Sequence, residues 1–330
     1  MLCRKPHLSL SATGYVRTSH RVTISKHEAH GMSTNSPFSG IALIILAAVL
    51  WGTTGTAQTF APLTLSSYWV GAARLVVASL FFVCVLLAQD PRSLSPARLV
   101  TLPWRLILMA GLCMASYNLL FFAAIRATSV AIGTALALGS GPLWAGLFHI
   151  CMTRRRPALN WWIAVGIAIT GLTLAMVAAD KTLALQASGI FLCLLSGASY
   201  ALYAITTKNI VSQAPAALST GLVFIVAAAF AVPGALALAG APILTFADSA
   251  VLLWLGIVAT GIAYLLFSTG LKTVNSGTGV ALALVEPVAA VCLAIMIVGE
   301  RPGISTIIGM SIVLLGLGLL IRIEAGSAPR

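Results

Sequence analysis

The stretch ALALVEPVAAVCLAIMIVGERP, residues 281–302, sets a carboxylate and a helix breaker side by side in an apolar run. From Ala281 to Val298 the one charge is Glu286, and Pro287 follows it at once. With the residues from Ser276 onward, the run reaches the roughly 20 residues that a helix needs to cross a bilayer. A charge at that depth costs about 3 kcal/mol on insertion scales. Glu286 is therefore expected to be protonated, partnered or reached by water.

A second stretch, ALALGSGPLWAGLFHICMTRRRP at residues 135–157, opens and closes in the same way. Pro142 lies 145 residues before Pro287, and Arg156-Pro157 lies the same distance before Arg301-Pro302. The register carries Gly111 onto Gly256, Leu120 onto Leu265, Phe122 onto Phe267 and Gly171-Leu172 onto Gly316-Leu317. With one residue of gap, Gly133 and its ALAL also match Gly279 and its ALAL. The chain is an internal duplication.

Of the 330 residues 59% are hydrophobic and 8% charged, where an ordinary soluble domain carries about 25% charged residues. This composition reads as an integral membrane protein. Ten apolar runs are long enough to span, at roughly 39–59, 67–89, 105–125, 129–151, 159–179, 188–208, 217–240, 249–270, 276–298 and 304–323. The short alternating strands of a membrane barrel are absent. The repeat moves span 3 onto span 8 and span 5 onto span 10, so each half holds five spans. Five is odd, and the second half therefore crosses in the opposite direction, which is an inverted-topology repeat. The expected fold is all-α, ten transmembrane helices in two inverted five-helix repeats, residues 39–179 and 188–323. A polar tail, residues 1–38, precedes them, with translation expected to start at Met32, and residues 324–330 form a short tail.

Net charge is +12, but the basic residues flank the spans. With the N-terminus cytoplasmic, fifteen Lys and Arg fall inside and only Arg126, Lys181 and Arg301 outside. The positive-inside rule then puts both termini in the cytoplasm of a plasma or inner membrane. This distribution is topological and excludes a nucleic-acid surface. The six cysteines show no CxxC or Cys/His spacing, so neither a metal site nor a disulfide framework is expected. Four of the five histidines lie in the tail and His149 stands alone, so no catalytic constellation forms. No cofactor is expected.

These residues resemble the EamA-type drug/metabolite transporter superfamily. LWGTTGT at Leu50–Thr56, Arg74 within AARLVVASL, and the two blocks LVEPVAAVCLAIMIVGERP and GMSIVLLGLGLLI carry the resemblance. The first half departs from it at Arg154-Arg155-Arg156, where the family commonly has Gly-Glu-Arg. The resemblance implies ten-helix exporters of small metabolites, with amino-acid exporters of the YddG type the nearest comparison.

Polar and wide-faced residues at mid-span face protein or a water-filled cavity. The substrate-binding candidates are Trp51, Thr54, Tyr117, Asn118, Tyr200, Tyr203, Tyr264 and Glu286, with Trp144 also at mid-span. Tyr200 and Tyr203 share a helix face, being three residues apart. The alternative for each ring is ordinary packing with its hydroxyl tied to a neighbour. Tyr68, Trp69, Trp104, Trp161, Trp162 and Trp254 read as interface anchors. Pro142 and Pro287 are the hinge candidates, because each removes a helical hydrogen bond. For Glu286 three roles stay open: a structural carboxyl, a contact for a substrate ammonium, and a proton-coupling group. Arg74, about 10 Å inside span 2, either snorkels outward or reaches toward Glu286.

Arg74 is the one basic residue deep in a span, so phosphorylated substrates, which need Lys and Arg clamps, fit poorly. A carrier for neutral or zwitterionic metabolites fits better, with amino acids including aromatic ones first and amphiphilic drugs second. The expected partners are a small-molecule substrate, protons and the lipid bilayer. A channel and a membrane enzyme are the rival classes.

Overall fold

The computed structural model describes residues 37–60, 65–89, 94–179, 186–243 and 245–326. The expectations for the polar tail and for Met32 fall outside them. Among the described residues ten helices are long and apolar enough to cross a membrane. Spans 1 and 2 are α1 (Pro37–Phe60) and α2 (Ser67–Gln89), followed by a short α3 (Pro96–Val100). Spans 3 to 7 are α4 (Trp104–Ala127), α5 (Val130–Thr153), α6 (Leu159–Ala179), α7 (Ala187–Val211) and α8 (Ala216–Ala239). Span 8 is composite: α9 (Phe246–Leu253), a π-helical stretch Trp254–Ile262, then α10 (Ala263–Gly270). Span 9 is broken into α11 (Ser276–Leu282) and α12 (Val285–Leu293), ending in a π-helical turn Ala294–Val298. Span 10 is α13 (Ile304–Gly326), so Glu324 belongs to a helix and not to a loose tail.

Lipid offers apolar side chains no reason to cluster, so helix association rests on close packing by small residues. The glycines of the repeat do this work. A Cβ on Gly171 of α6 would stand 2.6 Å from the Gly309 carbonyl oxygen and 2.6 Å from the Val313 nitrogen of α13. Its repeat partner Gly316 would meet Ala168 N at 2.6 Å and the Ala164 carbonyl at 2.8 Å. Ala164 and Ala168 are the repeat equivalents of Gly309 and Val313, so one contact is the other turned about a two-fold axis. Later residues of one helix meet earlier residues of the other, which makes the pair antiparallel and the repeats inverted.

The same test extends the repeat to the first two spans. Gly111 of α4 abuts Val226 and the Val223 carbonyl of α8, and Gly256 abuts Val77 and the Arg74 carbonyl of α2. Spans 1 and 2 therefore match spans 6 and 7 at an offset of 149 residues, not 145. Between matched positions, the stretch carrying α3 is four residues longer than its counterpart between spans 7 and 8. The helices also exchange partners. α4 packs on α7 and α8, and α5 on α7; correspondingly span 8 packs on α1 and α2, and α12 on α1. Two four-helix bundles result, one of spans 3, 4, 6 and 7 and the other of spans 1, 2, 8 and 9, with the α6–α13 pair beside them. Each bundle mixes the two sequence halves.

Outward-facing positions are mostly apolar, with Leu80 60% exposed and Leu315 67%, and the exposed Thr170, Thr173 and Ser311 donate to carbonyls of their own helices. The two membrane faces differ inside the protein. Toward the terminal face, where α1 begins and α13 ends, Ile44, Ile210, Phe267, Leu271 and Leu282 are fully enclosed. Toward the other face, Thr53–Phe60 of α1 is half-buried or exposed throughout. Gly55, one turn beyond the buried Trp51 on the same side of α1, has no atom within 4 Å of an added Cβ. Among the described residues the interior is closed at the terminal face and loosely packed at the opposite one.

A stability contrast follows. Gly171→Ala forces two backbones apart, and overpacking of this kind costs about 1–3 kcal/mol. Gly55→Ala meets no atom and gains helix propensity of up to about 1 kcal/mol. Thermal unfolding in detergent is expected to show a lower transition for the first and an equal or higher one for the second.

Candidate functional site

Halfway through the bundle, five of the sequence candidates form one aromatic wall. The Trp51 ring centroid lies 4.9 Å from that of Tyr264, which lies 5.8 Å from Tyr203. Tyr203 stacks with Tyr200 at 6.2 Å, and Tyr200 meets Tyr117 at 5.2 Å. Three rings complete the wall: Phe267, 5.4 Å from Trp51; Phe224, 5.0 Å from Tyr264; and Phe82, 6.0 Å from Phe224. Sequence reading missed these, because phenylalanine at mid-span is as common facing lipid as facing a cavity. Phe267 carried a usable signal, since the repeat pairs it with Phe122.

Packing with tied hydroxyls does not describe Trp51 and Tyr200, whose Nε1 and hydroxyl are buried and complete no hydrogen bond among the described residues, whereas the Tyr203 hydroxyl lies beside those of Thr207 and Ser268. Buried polar groups are ordinarily bonded, and leaving one unpaired costs about 1–3 kcal/mol. Tyr117 is only half-buried.

Two charges stand beside it. Arg74 donates from Nε to Thr260 Oγ1 at 2.9 Å, and Thr260 donates to the Leu255 carbonyl at 2.7 Å. That acceptor is five residues back, the spacing of the π-helical stretch, so the widened turn of span 8 positions Thr260 to orient Arg74. π-Segments of this kind recur at functional sites. Arg74 does not snorkel away: it and Glu286 both lie within electrostatic range of Tyr117 and Tyr264, and of each other. They close no direct ion pair among the described residues. Each charge is half-buried.

The break in span 9 accounts for the pairing of Glu286 with Pro287. The helix tightens at Leu284 N to Ala281 O, 3.0 Å, and Glu286 N to Ala283 O, 2.9 Å, and restarts at Val285. Pro287 falls in the first turn of α12, where a missing N–H has no intrahelical partner to lose. Glu286 falls in the same turn, where the positive end of the helix dipole favours an anion. Gly52 of α1 closes on the Glu286 carbonyl, an added Cβ there standing 2.9 Å away. The equivalent α5 runs unbroken through Pro142, so only one of the two hinge candidates coincides with an interruption. Restoring an N–H by Pro287→Ala is expected to favour a continuous helix and to lower transport several-fold at unchanged membrane insertion, measured as uptake per protein in vesicles.

The other candidates lie apart. Asn118 Nδ2 donates to the Met114 carbonyl at 3.0 Å, and its amide faces Gly71 of α2. Thr54 is half-buried on α1, its carbonyl accepting from Gln58 Nε2 at 3.1 Å. Trp144 pairs with Phe148 at 5.7 Å, away from the wall. Trp161 corrects its reading as an interface anchor: it is 8% exposed, wedged beside Gly146 and Gly277 because those glycines leave room for an indole.

Ten membrane-spanning helices in inverted repeats, with a cluster of aromatic rings and two charges inside the bundle, have the architecture of a secondary transporter. The chain belongs to the EamA-like transporter family, whose model matches residues 38–177 and again 187–322. It is 32% identical over 288 residues to the uncharacterized transporter YwfM of Bacillus subtilis (strain 168), covering 87% of this chain and 93% of that protein. A solved crystal structure shares the fold with a TM-score of 0.73 at 17% identity, covering 88% of this chain and 99% of the other. The protein is thus a multi-pass membrane transporter.

Proposed function

We propose that this transporter is an alternating-access carrier for small zwitterionic metabolites, first among them amino acids, including aromatic ones. The observation that carries this reading is the opposed pair Arg74 and Glu286 bordering one aromatic-walled hollow. A guanidinium accepts a carboxylate in a bidentate fork, and a mid-membrane carboxylate accepts an ammonium. The rings supply apolar area at low entropy cost. A neutral substrate uses the wall and the unpaired hydroxyls alone, and an amphiphilic cation uses the wall and Glu286. This second reading, drug export, is favoured by the number of rings.

The positive-inside count supports cytoplasmic termini in the cell membrane. The hollow then opens outward and is closed toward the cytoplasm. Counterflow in proteoliposomes tests the proposal. Vesicles loaded with unlabelled phenylalanine should accumulate labelled phenylalanine transiently, with saturation, and a labelled sugar phosphate should not exchange. Linear, non-saturating flux of phenylalanine would support a channel instead. Adding a pH gradient shows whether protons are coupled, the remaining role open to Glu286.

A further inference from the structure

We infer that Lys208 and Glu324 form a latch that holds the terminal face of the carrier shut, and that among the described residues the opposite face has no equivalent. Lys208, near the end of α7, donates from Nζ to the Leu271 carbonyl at 2.8 Å and to the Val274 carbonyl at 2.6 Å. These carbonyls lie in the link between spans 8 and 9. Glu324 of α13 grips the same link: its Oε1 accepts from Asn275 N at 2.8 Å and Asn275 Nδ2 at 2.9 Å, and its Oε2 from Thr278 Oγ1 at 2.7 Å. Lys208 and Glu324 also sense each other's charge.

The position of these bonds makes them a latch and not only a cap. Lys208 belongs to the bundle of spans 3, 4, 6 and 7, whereas the link it holds belongs to the bundle of spans 1, 2, 8 and 9. Rocking the bundles apart at this face must break both Lys208 bonds. Between the latch and the rest of the aromatic wall the Tyr203 hydroxyl lies beside those of Thr207 and Ser268, all three residues at most 2% exposed. Opening at this face is expected to give these hydroxyls water as a partner.

The repeat supplies an internal control. Thr59 stands at the position of Lys208, and its hydroxyl turns back to the Thr56 carbonyl of its own helix, 2.8 Å away. Alanine occupies position 179, equivalent to Glu324, and Ile132 stands at the place of Thr278. Arg126, at the place of Leu271, instead lies 5.7 Å over the Tyr68 ring. One gate is thus held by charge-assisted bonds and the symmetric one is not.

This inference rests on the carrier reading, but its test needs no substrate, so the two fail separately. In membrane vesicles, Ser268→Cys reports on the terminal face of the hollow and Gly55→Cys on the opposite one. An impermeant maleimide is applied from the corresponding side, and labelling is quantified by peptide mass spectrometry with the native cysteines as internal reference. Adding Glu324→Ala or Lys208→Met should raise labelling at position 268 about tenfold and lower it at position 55, since weakening one closed state shifts population to the other. Thr278→Val, which removes a single bond and preserves the fold, should move both in the same directions by about threefold. Glu300→Gln, on the other face, should move neither. Unchanged labelling at 268 in all latch variants would overturn the inference. So would a rise at both reporters together, which marks general loosening.

Discussion

Glu286→Gln is expected to lower counterflow of a zwitterionic substrate by at least about a hundredfold, with the protein still inserted and unfolding at a similar temperature. Glutamine keeps the size and shape of the side chain, so the Gly52 contact and the break before α12 survive. What it loses is the charge. Leaving a buried ammonium without its partner costs about 2–5 kcal/mol, and a hundredfold corresponds to about 2.7 kcal/mol. The same variant separates the three roles of this residue. A structural carboxyl predicts a lower unfolding temperature with counterflow little changed. A proton-coupling group predicts intact counterflow with loss of accumulation driven by a pH gradient. Only an ammonium contact predicts loss of exchange itself.

Arg74→Gln should cost about ten- to a hundredfold in counterflow of phenylalanine while leaving phenethylamine, the same molecule without its carboxylate, nearly unchanged. A charge-assisted hydrogen bond contributes about 1.5–3 kcal/mol, and the bidentate fork of arginine raises that value. Arg74→Lys should recover only part of the activity. It keeps the charge, but it lacks the planar Nε that Thr260 accepts from at 2.9 Å and therefore the orientation that bond fixes. Equal loss for phenylalanine and phenethylamine would assign Arg74 to structure and not to carboxylate recognition.

The spans were legible in the sequence because a bilayer imposes length and apolarity on every crossing helix. The inverted repeat was legible through Gly171-Leu172 and Gly316-Leu317, which recur because each helix of an antiparallel pair needs a small residue at the crossing. Its register in spans 1 and 2 was not, since four residues in the connection around α3 shift the offset from 145 to 149. Trp51, Tyr117, Tyr200, Tyr203 and Tyr264 were found because tyrosine and tryptophan at mid-span are costly against lipid. Phe82, Phe224 and Phe267 were not, because phenylalanine carries no such cost. The position of Pro287 in a first turn, rather than mid-helix, also escaped: whether a proline kinks a helix or begins one depends on the hydrogen bonds of the preceding residues, which the sequence does not show. Lys208 and Glu324 read as ordinary charges at span ends, and their joint grip on the link between spans 8 and 9 requires the third dimension.

On the carrier reading, Glu286 borders a hollow reached alternately from the two faces. Val285→Cys, next to it and half-buried, tests this by labelling with an impermeant maleimide from each face separately. In the resting protein the account predicts reaction from the face opposite the termini, protection from the terminal face, and a reversal of that pattern when the Lys208–Glu324 latch is broken. Labelling from neither face, with reaction only toward a lipid-soluble maleimide, would place Glu286 against hydrocarbon and contradict the account.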